Sequence, residues 1–288
     1  MQAGIPHTNP DVSTKENTLG MSEHYPERII CLTPETTETL YLLGEEDRIV
    51  GISGYTVRPW RARKEKPKVT AFTSAKIDRI IALKPDLVLG FSDLQADIAA
   101  DLIRRGITVM VFNYRSVAGI LKMVQTLGRM VGAGDQAEQL ARGYANRIIE
   151  IRKRTDNKEC RPKIYFEEWD EPQISAIRWV SELIRVAGGE DVFRELSTHP
   201  DSKNRIIADP AEVIRRAPDI IIGSWCGKKF RAEKVASRVG WDAIPAVATE
   251  NLYEIKSAEI LQPGPAALTD GLDHLERIIR QWHSHFTH

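Results

Sequence analysis

Residues 117–155 run for nearly forty positions in helical pattern with no strand signal, and strand–helix alternation lies on both sides of them. Gly132-Ala-Gly134 interrupts the run, and Asp135 is placed to cap a second segment reaching about Arg154. Roughly twenty residues at about 1.5 Å each make a rod near 30 Å long, enough to traverse a lobe. Such a rod between two alternating segments predicts two lobes joined by a helical spine.

Ahead of the spine, Arg28–Leu32, Arg48–Ile52, Asp86–Gly90 and Thr108–Phe112 read as buried strands because their apolar runs are continuous. Thr33 as cap, Pro34 at the first helical position and early acids predict a helix that Gly44 ends. Further helices are expected over Ile77–Leu83 and about 94–105. Beyond the spine come strands at Lys163–Glu167, Asp219–Gly223 and Leu252–Ile255, with helices near 180–187, 211–216 and 265–282. This order predicts an α/β fold of two parallel-sheet β/α lobes joined by a long helical backbone, with a ligand cleft between the lobes. The expected division is a disordered leader over 1–26, an N-terminal lobe over 27–115, the helical linker over 116–156 and a C-terminal lobe over 157–288.

An internal repeat supports two related lobes. Residues 77–90 align without gaps on residues 210–223, matching Ile81 with Ile214, Pro85 with Pro218, Asp86 with Asp219 and Gly90 with Gly223. Each copy reads as helix, Pro-Asp turn, buried strand, glycine.

Composition narrows the function classes. Forty basic residues balance forty acidic ones, which gives no drive toward nucleic acid or an anionic membrane. The chain has no GxSxG, GxxxxGK[ST], strand-linked GxGxxG or HExxH pattern, so an enzyme is not expected. Glu167 and Glu168 beside Trp169 form a carboxylate pair at a strand end, open to acid–base work, to accepting hydrogen bonds from ligand amides, or to plain exposure. Cys31 and Cys160 read as small buried hydrophobes; Cys226 is a lone thiol and a weak metal ligand. Most of the seven histidines lie near the termini, with His199 the exception. No His and carboxylate cluster suited to a bare metal ion is evident. The first thirty residues carry no basic, apolar or lipidation signature of a secretory signal, and Met21 is an alternative start.

The segments Arg28-Ile-Ile-Cys-Leu-Thr-Pro-Glu-Thr-Thr-Glu38, Gly51-Ile-Ser-Gly-Tyr55, Ile80-Ile-Ala-Leu-Lys-Pro-Asp-Leu-Val88 and Ala187-Gly-Gly-Glu-Asp-Val-Phe193 resemble the helical-backbone substrate-binding proteins of ABC importers. The resemblance runs from about residue 27 to 282 and lies nearest the vitamin B12-binding branch. It implies little hinge motion and no cofactor, with cobalamin as ligand. It also implies periplasmic residence and membrane subunits of an ABC transporter as partner. Asp78 matches the exposed acid through which lobe one of the family docks, and Glu212 is the lobe-two candidate, one residue out of register. A ferric-siderophore-binding protein is the alternative within the family. A cytoplasmic carrier or sensor of the same fold is the alternative that fits the missing export signal.

Independently of that resemblance, open parallel sheets bind ligands outside their carboxyl edges. The loops there carry Tyr55, Phe72 and Phe91 in lobe one, and Trp169, Trp225 and a further candidate, Trp179, in lobe two. In the resembling B12-binding proteins, the positions of Tyr55, Phe72 and Phe91 are aromatic and touch the corrinoid. Arg58, Arg178, Lys228 and Lys229 are candidates for positive charge on the cleft rim.

Overall fold

A computed structural model describes residues 25–156 and 160–285. Residues 1–24 of the expected leader, with the alternative start at Met21, lie outside the described residues, as does the end of the histidine-rich tail. The carbonyl of the last leader residue, Pro26, accepts from Arg48 Nη1 at 2.8 Å.

Six strands build the first sheet: β1 (Ile29–Cys31), β2 (Ile49–Ser53), β3 (Lys68–Ala71), β4 (Ser74–Ala75), β5 (Leu87–Phe91) and β6 (Val109–Phe112). Their order is β4-β3-β2-β1-β5-β6, parallel except for the antiparallel edge strand β4. Chain order therefore reverses direction between β1 and β5. The second sheet holds β7 (Lys163–Asp170), β8 (Gln173–Ser175), β9 (Glu190–Asp191), β10 (Ile220–Gly223) and β11 (Leu252–Glu254). Its order is β11-β10-β7-β8, with β9 parallel to the start of β7 and β8 antiparallel to its end. Chain order reverses here between β7 and β10.

Two antiparallel spine helices, Val117–Met130 and Gly134–Thr155, join the sheets. At the site of Gly128 a Cβ would collide with Ala137, so the glycine sets the close approach of the two rods. The long helix buries Ala137, Ala141, Tyr144, Ile148 and Ile151 at helical spacing. Ala137 and Ala141 belong to the core beneath the first sheet, with Leu127 and Phe112. Tyr144, Ile148 and Ile151 belong to the core of the second, with Phe166, Trp179 and Ile279. One rigid element is therefore built into both cores, which limits how far either lobe can swing. Asp135 is not the cap; the helix begins after Ala133, and Asp135 sits in its first turn, where its charge suits the helix dipole.

The internal repeat is a structural correspondence. Helices Ile77–Ala82 and Ala211–Arg216 precede β5 and β10, and Ile80 and Val213 are both fully buried. The aligned residues Lys84 and Ala217 both adopt left-handed φ, 47° and 45°. The Asp86 carboxylate accepts the backbone N–H of Glu27 and Arg28 at 2.7 and 3.0 Å, beside the start of β1. The Asp219 carboxylate accepts the N–H of Lys163 at 2.8 Å, at the start of β7. Each aspartate ties the start of its lobe's first strand to the turn before the neighbouring strand.

Three further expectations are corrected. Thr33 occupies the cap of α1 (Pro34–Leu42), but its hydroxyl bonds the Glu35 carboxylate rather than a backbone N–H. Cys31 is buried, whereas Cys160 is exposed in the polar connection before β7. The closing helix starts with a π-helical turn, Ala267–Gly271, and continues regularly over Leu272–His285. Among the described residues no helix is long and apolar enough to cross a membrane.

Candidate functional site between the lobes

Both reversals of strand order place a crevice at the carboxyl edge of a sheet, and the two edges meet. Phe91, ending β5, packs edge-on against Trp179 beyond β8, with ring centroids 6.4 Å apart. Arg115, after β6, donates from Nε to the Pro200 carbonyl at 2.9 Å. At the floor, Gly264 lies on α1 so closely that a Cβ there would stand 2.5 Å from the Glu35 Cβ.

The expected aromatic residues divide into two groups. Tyr55, in the loop after β2, is 50% exposed. Phe72, after β3, is partly buried against the core that holds Trp179 and the spine. Trp169, near the end of β7, is half-buried; its Nε1 donates to the Glu171 carbonyl at 2.9 Å and the Lys228 ammonium stands 4.1 Å from its ring centroid. These three keep ring surface at the carboxyl edges.

Phe91, Trp179 and Trp225 do not. Phe91 and Trp179 are buried in the core shared with the spine, and Trp179 Nε1 donates to the Ile260 carbonyl at 2.8 Å. Trp225, 4% exposed, packs on Phe230, and its Nε1 donates to Glu167 at 3.0 Å. In each case packing and, for the tryptophans, a hydrogen-bond partner hold the ring inside. The expectation that these rings face the cleft is therefore corrected.

The carboxylate pair is structural. Fully buried Glu167 accepts from Tyr165 Oη at 2.8 Å, from Trp225, and from both terminal nitrogens of Arg238 at 2.6 and 2.9 Å. Glu168 takes a two-pronged bond from buried Arg205 at 2.6 and 3.1 Å. Every carboxylate oxygen of the pair is thus engaged by an arginine. Lys228 and Lys234 both bond Asp170, and those bonds hold its carboxyl below the usual range against the opposing effect of burial. Arg178 pairs with Glu182 at 2.9 Å on the surface, and Lys229 is exposed. His199 is exposed, and among the described residues no group of three or more His, Cys, Asp or Glu could hold a metal ion.

Sequence reading missed Gln95. Its fully buried amide accepts the Phe91 N–H at 3.0 Å and donates to the Phe72 carbonyl at 2.8 Å. It thereby holds two carboxyl-edge turns in register, including Phe72 at φ 23° and neighbouring Ser92 at φ 64°, backbone conformations that cost energy outside glycine. Trp60, 65% exposed beneath Lys64, was also missed, although an aromatic after proline in an Arg- and Lys-rich loop is a visible signal. A depression of about 480 Å3 opens beside the β7–β8 turn, lined by Asp170, Pro172, Gln173, Ile207, Lys234 and Arg238 among others.

The docking candidates differ. Asp78, at the start of its helix, has a side chain 99% exposed, with Arg105 3.6 Å away. Glu212 is engaged by Arg215 at 2.6 Å and Arg216 at 3.4 Å.

Two parallel-rich lobes on a helical spine meet at their carboxyl edges. The chain belongs to the periplasmic binding protein family, whose model matches residues 29–259. It is an ABC-type substrate-binding protein, from a family of binders rather than catalysts. It is 24% identical to a cobalamin-binding protein of Halobacterium salinarum, over 91% of this chain and 71% of that one. It is 25% identical to an ABC transporter substrate-binding lipoprotein of Bacillus subtilis, over 96% and 86%. Two solved structures share the fold. The periplasmic vitamin B12-binding protein of Vibrio cholerae superposes with a TM-score of 0.72 at 21% identity, covering 90% of this chain and 98% of that one. The haem complex of a Staphylococcus aureus protein superposes with a TM-score of 0.74 at 20% identity, covering 89% and 99%.

Proposed function

We propose that the protein captures cobalamin or a related corrinoid between its lobes and presents it to an ABC-type importer outside the cytoplasmic membrane. The observation that supports this reading is ring surface left partly open near the carboxyl edge of each sheet: Tyr55 and Phe72 on lobe one, Trp169 on lobe two. A broad, flat, partly apolar ligand gains from such faces, each stacking contact contributing about 0.5–1.5 kcal/mol beyond the area it buries. The relatives named for cobalamin and vitamin B12 support the corrinoid class, and the lipoprotein relative supports an extracytoplasmic location. Asp78, projecting fully from lobe one, is the proposed transporter contact there; Glu212 is the lobe-two candidate, reached only by displacing its two arginines.

Isothermal titration with cyanocobalamin, haemin and a ferric siderophore, run in parallel, tests the ligand class. Saturable binding of cyanocobalamin at low micromolar concentration, with the other two weaker, is the expected result. Saturation by haemin or the siderophore without cobalamin binding moves the site to that ligand class.

A further inference from the structure

We infer that Arg58 is a positioning residue that ties the ligand-contacting loop of lobe one to lobe two. This inference rests on the ligand-capture reading. The loop after β2 carries Tyr55 and, three residues on, Arg58. Arg58 Nε donates to Glu38 Oε1 on α1 at 2.9 Å, and its Nη2 donates to Asp270 Oδ2 at 2.6 Å. Asp270 lies in the π-helical turn of the closing segment, 212 residues away in sequence. The other oxygen of Glu38 accepts the Ala266 N–H at 3.3 Å. Two residues before Ala266, Gly264 makes the contact with Glu35 that any larger residue would block.

One guanidinium thus joins the Tyr55 loop, α1 and the segment 264–271. Arg63 anchors the same loop from behind, its Nη1 donating to the carbonyls of Gly54 and Thr56 at 3.1 Å each. With both ends of the loop fixed, the distance across the cleft at Tyr55 follows the lobe-two segment. π-helical turns occur disproportionately at functional positions, and this one supplies the carboxylate that closes the bridge. Asp270 has a side chain 44% exposed, so the link to lobe two is the weaker arm and Glu38–Arg58 the firmer one. Ligand contact at Tyr55 and closure of the lobe-two arm accordingly reinforce one another, and the clamp acts chiefly on dissociation.

The test separates the arms. Asp270→Asn removes only the charge that draws lobe two to Arg58, whereas Arg58→Ala removes both arms; Asp270→Glu restores the carboxylate. Hydrogen exchange of segments 54–60 and 264–271 is followed in the ligand-free protein, and cyanocobalamin dissociation is followed by stopped flow. The clamp predicts that Asp270→Asn speeds exchange in both segments and raises the off-rate about three- to fivefold. Arg58→Ala should do more, and Asp270→Glu should recover part of the loss. Faster exchange in 264–271 alone, with segment 54–60 and the off-rate unchanged, overturns it. If cyanocobalamin fails to bind the wild-type protein, the ligand reading falls and the exchange coupling alone decides the clamp.

Discussion

Replacing Glu35 with glutamine should remove much of the pH dependence of stability near neutrality. The Glu35 side chain is buried in the first turn of α1; Thr33 donates to one oxygen, and the other has no partner. Burial pushes its carboxyl from 4.5 up to about 7, and nearby Glu38 adds to that rise while the Thr33 hydroxyl opposes it. Because the folded-state value is raised, the folded protein holds a proton that the unfolded chain releases between about pH 4.5 and 7. Stability is therefore fully present below the unfolded value and is lost as pH rises through the folded one. At about 1.4 kcal/mol per factor of ten in proton affinity, the loss amounts to about 3 kcal/mol above pH 7. Glutamine avoids that loss, though its amide hydrogens add a cost of about 1 kcal/mol if left unpaired. The variant should be more stable than wild type by about 2 kcal/mol at pH 8 and no more stable at pH 4.5. Urea unfolding followed by tryptophan fluorescence across this range measures the difference. Asp191, which burial pushes up to about 6, contributes its own slope to both proteins and cancels in the comparison. A stability difference between wild type and variant that stays constant with pH would refute the reasoning.

Glu167→Gln leaves the Arg238 guanidinium without its anion beside Trp225 and Tyr165, and should cost about 3–5 kcal/mol in chemical denaturation. Gly223→Ala drives a Cβ into the Phe230 ring and should cost at least about 1–3 kcal/mol, read as a fall in thermal midpoint. Asp78→Arg should leave stability and ligand affinity unchanged while abolishing stimulation of the partner transporter's ATPase in reconstituted membranes.

The architecture was legible where its signals are long or repeated. The spine declared itself by length and by the break at Gly132 and Gly134, and the repeat anticipated the paired roles of Asp86 and Asp219. Strands β3, β4, β8 and β9 were missed because two to four residues, several of them polar, make no periodic pattern. At the site, sequence marked the aromatic positions but not which way each ring turns. Trp225 is held inside by Glu167, 58 positions away, whereas Trp169 bonds a carbonyl only two residues on. The contacts between the lobes were further from reach, since Glu38 meets Ala266 across 228 positions. Gly264 between Pro263 and Pro265 was the sole local hint of a close approach there.

The most direct test of capture by both lobes is a fluorescence titration with cyanocobalamin of wild type, Tyr55→Ala, Trp169→Ala and the double variant, corrected for inner-filter absorbance. Each single change should weaken binding by at least about 0.5–1.5 kcal/mol, roughly two- to thirteenfold, with the lost ring area adding to it. The double variant should lose about the sum, because the residues sit on opposite lobes. Unchanged affinity in either single variant would contradict a ligand held between the two lobes.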